Sequence, residues 1–136
     1  MLSAAQHLHS SLSKCAAAGW DTVSLITKVV SVWRDIDTAL APIIGHRGVA
    51  ALFGRSLHLT RADYPWLTAQ NANTPDRIDF ALLQSALSEQ TSTDVVALND
   101  ALLRKFAELL SNLIGVSLTE LLLRPVVDIH STGDAA

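Results

Sequence analysis

Apolar residues recur every three or four positions along most of this chain, which is the spacing of amphipathic α-helices. The clearest stretch covers residues 22–44, where the apolar positions are Leu25, Ile26, Val29, Trp33, Ile36, Leu40 and Ile43. Asp21 precedes this stretch as a candidate N-cap, and Pro42 followed by Gly45 indicates a kink or an end. Several β-branched valines favour a strand locally, but the period predicts a helix.

The same spacing predicts five further helices, at residues 3–18, 46–60, 74–90, 94–114 and 117–123. Thr74 and Pro75 form a typical helix start, and Gly115 is predicted to be a left-handed cap. Ser117 and Glu120 have the spacing of a capping box. Arg124 followed by Pro125 predicts that the last helix stops there, which leaves residues 125–136 as an extended tail.

The pattern as a whole predicts one all-α domain, a helical bundle of five or six helices. Residues 1–19 are expected to form either a short helix or an N-terminal arm. Residues 61–74 make up the longest polar connection. No apolar run reaches the length of about 18 to 20 residues that a bilayer crossing needs, so no membrane span is expected.

Composition adds the expectation of a partner. Hydrophobic residues form 49% of the 136 residues and charged residues only 17%, which is more apolar surface than a lone small bundle readily covers. We therefore expect a homodimer or a protein partner. The net charge of −3 argues against general nucleic-acid binding, which needs a basic field. Cys15 is the single cysteine, which excludes an internal disulfide and fits a reducing cytoplasm.

Enzyme chemistry has little support in the sequence. There is no GxSxG, HExxH or glycine-rich phosphate loop, and no cofactor is predicted. Asp35 and Asp37 lie two apart on a predicted helix and therefore diverge. His7 and His9 are also two apart and the other histidines are scattered, so no metal site is expected. The prediction is a protein that is not an enzyme.

The third predicted helix and the residues after it carry a local excess of positive charge. Arg47, Arg55 and His58 fall along one helical stripe, and Arg61 follows. Such a stripe is a candidate site for a phosphate, a nucleotide or an acidic partner. The alternative is that these arginines cap backbone carbonyls or pair with Asp35, Asp37 and Asp63 within the fold.

Two further hypotheses concern single side chains. His46, beside Arg47 and Gly48, is a candidate for histidine phosphotransfer, although the lysine and glycine one turn later that such modules normally show are missing. Trp33, Tyr64 and Trp66 are candidate interface anchors, because aromatic residues are enriched at binding hot spots. Trp33, among valines and Ile36, is also the best candidate for the core.

The stretch LAPIIGHRGVAALFGRSLHLTRADYPWL, with LIGVSLTELLLRPV near the end, resembles short all-helical bacterial proteins of uncharacterised function. These proteins look like companions of two-component and other signalling proteins. The similarity covers residues 33–127 and departs at Leu121 and Val127. It implies a cytoplasmic adaptor or regulator in bacterial signal transduction, with a signalling protein as partner. A sensor that binds an anion at the arginines is the second hypothesis, and phosphotransfer is the third.

Overall fold

Five α-helices and no strand make up the described part of the protein, residues 3–66 and 78–135 of a computed structural model. The helices are α1 (Ala4–Ala17), α2 (Thr22–Thr60), α3 (Phe80–Ser88), α4 (Ser92–Ile114) and α5 (Val116–Ala135). The predicted all-α bundle is therefore confirmed. Within residues 3–66 and 78–135, no helix combines the length and the hydropathy that a bilayer crossing requires.

Helix α1 shows that residues near the start of the chain form a helix and not an arm. Ser3 is its N-cap: the Ser3 hydroxyl accepts a bond from the Gln6 backbone N–H, and the Gln6 side chain accepts one from the Ser3 N–H. A third bond comes from outside the helix, because the Ala4 N–H donates to Glu120 Oε1 at 2.7 Å. That carboxylate also complements the positive end of the α1 dipole.

Helix α2 is broken in the middle, where the sequence predicted an end. Gly45 has φ 79° and ψ 157°, a conformation that essentially only glycine adopts. The break divides α2 into halves at residues 22–44 and 46–60, as predicted. Asp21 is the N-cap, and its carboxylate accepts a bond from the Ser24 N–H at 2.8 Å.

Helix α3 begins later than predicted. Its N-cap is Asp79, whose carboxylate accepts a bond from the Leu82 N–H at 3.0 Å, and the preceding Ile78 is not helical. The predicted start at Thr74 and Pro75 lies outside the described residues. Helix α4 begins at Ser92 with Thr91 as its N-cap. Gly115 ends α4 with φ 93° and ψ 154°, so the positive φ was predicted correctly but the conformation is extended and not left-handed helical.

Helix α5 corrects two predictions. The helix starts at Val116, so Ser117 lies inside it, and the Glu120 side chain caps α1 where a capping box was expected. It also continues through Pro125 to Ala135, where an extended tail was predicted. Proline inside a helix costs about 3 kcal/mol. Burial of Leu123, Val126 and His130 around and beyond that point offsets the cost, since one buried Val or Leu side chain contributes about 1.5–3 kcal/mol.

The core is a single cluster to which all five helices contribute. Helices α2 and α4 pack most closely, α1 lies across α4 and α5, and α3 packs on α2. Trp33 is fully buried at the centre, with its ring 4.9 Å from Phe53 and 5.1 Å from Phe106 in edge-on geometry. The Trp33 indole N–H donates to Asn99 Oδ1 at 3.0 Å, which satisfies both buried polar groups.

Candidate interaction surface

Helix α5 carries apolar side chains on two of its faces. One face is buried and holds Thr119, Leu123, Val126 and His130. The other face, here called the outer stripe, is made of Leu118, Leu121, Pro125 and Ile129. These four residues have the i, i+3, i+7, i+11 spacing of one helix face. At 100° per residue, the centre of the outer stripe lies about 125° around the helix from the centre of the buried face, so α5 presents an exposed apolar surface beside its packed face.

The outer stripe is well exposed. Leu121 is 64% exposed, Ile129 57% and Leu118 38%. At a rise of 1.5 Å per residue, the stripe runs for about 17 Å along α5. Isolated exposed apolar residues are ordinary on a protein surface, but several on one helix face indicate an interaction site.

The elbow between α4 and α5 extends this apolar surface. Leu113 and Val116 stand on either side of Gly115 and are 62% and 66% exposed. Because helix α5 starts directly after Gly115, no polar loop covers this corner. The exposed apolar residues at the C-terminal end of the chain therefore include both the elbow and the outer stripe.

At its other end the outer stripe leads into an open groove between α5 and the start of α2. The groove has a volume of about 450 Å³. Its walls are formed by Trp20, Val23, Ser24, Thr27, Lys28, Ser31, Ile129 and His130. Ile129 belongs to both the stripe and the groove. The Lys28 ammonium lies 6.0 Å from the centre of the Trp20 ring at one side.

Three of the four predicted basic residues are exposed, and Arg61 is half-buried. Arg47, Arg55 and His58 lie along one face of residues 46–60, and Arg61 caps the end of α2. Asp35 and Asp37, two of the aspartates considered as partners of these arginines, pair with histidines at positions 130 and 46. The arginines form a line along the helix, and the groove between α5 and α2 is lined by other residues. Anion binding there stays a prediction.

The predicted aromatic anchors differ from one another in position. Trp33 is 0% exposed and belongs to the core, so the interface role considered for it is wrong. Tyr64 and Trp66 are half-buried, stack edge-on with ring centres 6.1 Å apart, and pack against the core. Both side chains are partly exposed, and their role at an interface stays a prediction.

Three histidines pair with aspartates across the fold. His130 Nε2 lies 2.9 Å from Asp35 Oδ2 and connects α5 to α2. His46 Nδ1 lies 2.9 Å from Asp37 Oδ2 across the break at Gly45. At these distances the ring N–H donates to the carboxylate. The third pair, His9 with Asp100, is longer at 3.7 Å.

These pairs bear on the chemistry predicted for His46. The His46 side chain is partly exposed, while Asp37 is buried and lines a second cavity of about 350 Å³ with Arg34 and Phe80. The carboxylate fixes the orientation of the ring, and phosphotransfer at His46 stays a prediction. Within the described residues, no three His, Cys, Asp or Glu side chains converge to hold a metal ion.

Sequence reasoning missed the outer stripe. Leu118, Leu121, Pro125 and Ile129 have helical spacing in the sequence, which was the available signal. The helix was expected to stop before Pro125, so Ile129 was assigned to a tail and the pattern was cut in two.

No family model, curated protein or solved structure matches this chain. The similarity to small bacterial signalling companions therefore stays a prediction.

Proposed function

We propose that this protein is a non-enzymatic helical interaction module that binds its partner through the outer stripe of α5. The observation that carries the proposal is the apolar outer face of a helix whose inner face already packs into the core. Leu121 and Ile129 are more than half exposed, and both are more exposed than Leu118. Burial of these side chains against a partner helix would remove apolar surface from water, which is the main driving force of association.

The size of the stripe indicates a contact of moderate strength. Full burial of a Leu or Ile side chain contributes about 1.5–3 kcal/mol, and these residues are about half exposed. Association itself costs about 4–15 kcal/mol in lost freedom. The stripe therefore needs the elbow residues Leu113 and Val116, or a polar rim, to bind stably. Reversible contacts of this kind suit a regulatory module.

The biological setting that we propose is bacterial signal transduction in the cytoplasm, with a signalling protein as partner. The support is the similarity of residues 33–127 to short all-helical signalling companions, together with the single cysteine. A helical bundle without catalytic motifs fits an adaptor, because adaptors act through surfaces.

The test is the pair of substitutions Leu121→Gln and Ile43→Gln. Both replace an exposed apolar residue on a helix, but Ile43 is on α2 and outside the stripe. Partners retained from a native extract would be identified by mass spectrometry and rebuilt from purified proteins, and self-association would be measured by sedimentation. We expect Leu121→Gln to weaken association at least about tenfold and Ile43→Gln to leave it unchanged. Equal association by wild type and Leu121→Gln would refute the proposal.

A second function is favoured by the line of Arg47, Arg55 and His58 on the surface of α2. We propose, as the alternative, a sensor that holds a small anion or nucleotide there. Calorimetric titration with inorganic phosphate and with a nucleotide tests it against an Arg47→Ala, Arg55→Ala double variant. Binding that the double variant keeps in full would exclude this site.

A further inference from the structure

The outer stripe is bordered by two opposite charges. Arg124 and Asp128 are both exposed and lie four residues apart on α5. Each directly precedes a stripe residue, Pro125 or Ile129, so each lies about 100° before it around the helix. Both charges therefore stand on the same side of the stripe, positive toward the start of α5 and negative toward its end. On the opposite side, within residues 118–130, Leu122 is half-buried and no charged residue is present.

We infer that the outer stripe binds a second copy of this chain, with the two α5 helices antiparallel across a twofold axis near Pro125. The inference rests on the proposed function and specifies its partner. A twofold contact must be self-complementary, because each residue meets the residue that lies equally far on the other side of the axis. Along α5 the positive charge precedes the negative charge. When the second helix runs in the opposite direction, each positive charge therefore faces a negative charge, which meets that condition.

The apolar residues fit the same axis. Leu121 and Ile129 lie four residues before and after Pro125, at about 6 Å on either side. In the antiparallel pair, Leu121 of each copy therefore meets Ile129 of the other copy. Pro125 lies at the axis itself, where the two helices approach most closely and no long side chain separates them.

The charges then pair between copies. Arg124 lies about 1.5 Å before the axis and Asp128 about 4.5 Å after it, so Arg124 and Asp128 of the second copy differ by about 3 Å along the helix. In an antiparallel pair, the charged side of one helix lies next to the charged side of the other. Arg124 of each copy therefore comes close to Asp128 of the other copy, once on each side of the axis. A parallel pair would set the charged flank against the flank of Leu122. Charge complementarity thus selects the antiparallel arrangement.

One helix pair makes a small interface. Contacts at the small end of the range of specific interfaces are transient, so we expect a dissociation constant of about 1 to 100 µM. Light scattering at high dilution would show monomers, and sedimentation equilibrium across this range would show the dimer.

The test is a charge exchange on the full chain, measured by sedimentation equilibrium. Arg124→Asp alone sets two carboxylates against each other across the axis, and Asp128→Arg alone sets two guanidinium groups together, so each should weaken the homodimer at least about tenfold. The double exchange, Arg124→Asp with Asp128→Arg, should restore it. A mixture of the two single variants should form a heterodimer, because both of its charge pairs join opposite charges. One pair is the wild-type pair of Arg124 and Asp128, and in the other pair the two charges are exchanged. Circular dichroism and thermal unfolding confirm that each variant is folded.

The outcomes separate this inference from the proposed function. A wild-type chain that stays monomeric while Leu121→Gln abolishes binding to another protein would overturn the inference and leave the function standing. A dimer that is lost in Leu121→Gln but insensitive to the charge exchange would overturn the antiparallel arrangement. If Leu121→Gln changed no association at all, both would be wrong. The recovery of dimer in the mixture of single variants is the result that supports the inference.

Discussion

The hydrogen bond between Trp33 and Asn99 offers a direct test of how the core is held together. Both side chains are buried, and the indole N–H reaches Asn99 Oδ1 at 3.0 Å between α2 and α4. In Asn99→Leu the indole N–H loses its acceptor, and in Trp33→Phe the Asn99 carbonyl loses its donor. The double variant removes both polar groups together. The three variants with wild type form a double-mutant cycle.

The expected magnitudes follow from burial. A buried donor or acceptor left without a partner costs about 1–3 kcal/mol, so Asn99→Leu should lower the free energy of unfolding by that amount. Trp33→Phe should cost about 1–2 kcal/mol more than that, because the smaller ring leaves a cavity beside Phe53 and Phe106. In the double variant no buried group is orphaned. The sum of the single effects should therefore exceed the double effect by about 2–6 kcal/mol, because both costs of an unpaired buried group are absent from the double variant.

Urea unfolding followed by far-UV circular dichroism measures all four free energies, and this signal does not depend on the tryptophan that is changed. For a chain of this length, each kcal/mol corresponds to a shift of about 3–5 °C in Tm, which provides an independent check. The slope of the urea transition should stay constant across the cycle. Effects that add to within about 0.5 kcal/mol would show that the two groups are not coupled, and the account of the core would be wrong.

Two further predictions concern the helix junctions and the first cap of α2. Gly45→Ala and Gly115→Ala should each lower the free energy of unfolding by about 1–3 kcal/mol in urea, because φ is 79° and 93° and a side chain is strained there although space is open around both; an unchanged midpoint would contradict this. Asp21 has a pKa lowered from 3.8 by its hydrogen bonds to Ser24, so its charge stabilises the fold above pH 3.8 and this contribution is lost as the pH falls through the lowered pKa. Wild type should therefore be more stable than Asp21→Asn at neutral pH, and the difference should disappear in acid; a difference that is constant with pH would contradict the assignment.

The inward faces of the helices could be predicted from the sequence because helical periodicity is a local property. Most of the residues that repeat every three or four positions in 22–44, such as Leu25, Trp33 and Ile36, are buried in the structure, but Ile43 at the end of the repeat is 53% exposed. The breaks at Gly45 and Gly115 were also predictable, since glycine between two periodic stretches marks a backbone conformation that other residues rarely adopt. The start of α3 was not predicted, because Asp79, which is its N-cap in the structure, had been placed inside the predicted helix 74–90.

The end of the chain shows what local reasoning leaves out. Proline carries a local cost that predicts a helix end at Arg124, and nothing nearby in the sequence opposes it. What opposes it comes from distant residues: Asp35 on α2 binds His130, and the Ser11 hydroxyl on α1 donates to the His130 carbonyl at 3.4 Å. Only when α5 packs between α1 and α2 does burial of its inner face outweigh the proline, and only then does the outer stripe exist as one continuous surface. Before α5, the sequence by itself determined most of the residues that turn inward, whereas the tertiary structure decided the inner face of α5 beyond Pro125 and which apolar residues remain for a partner.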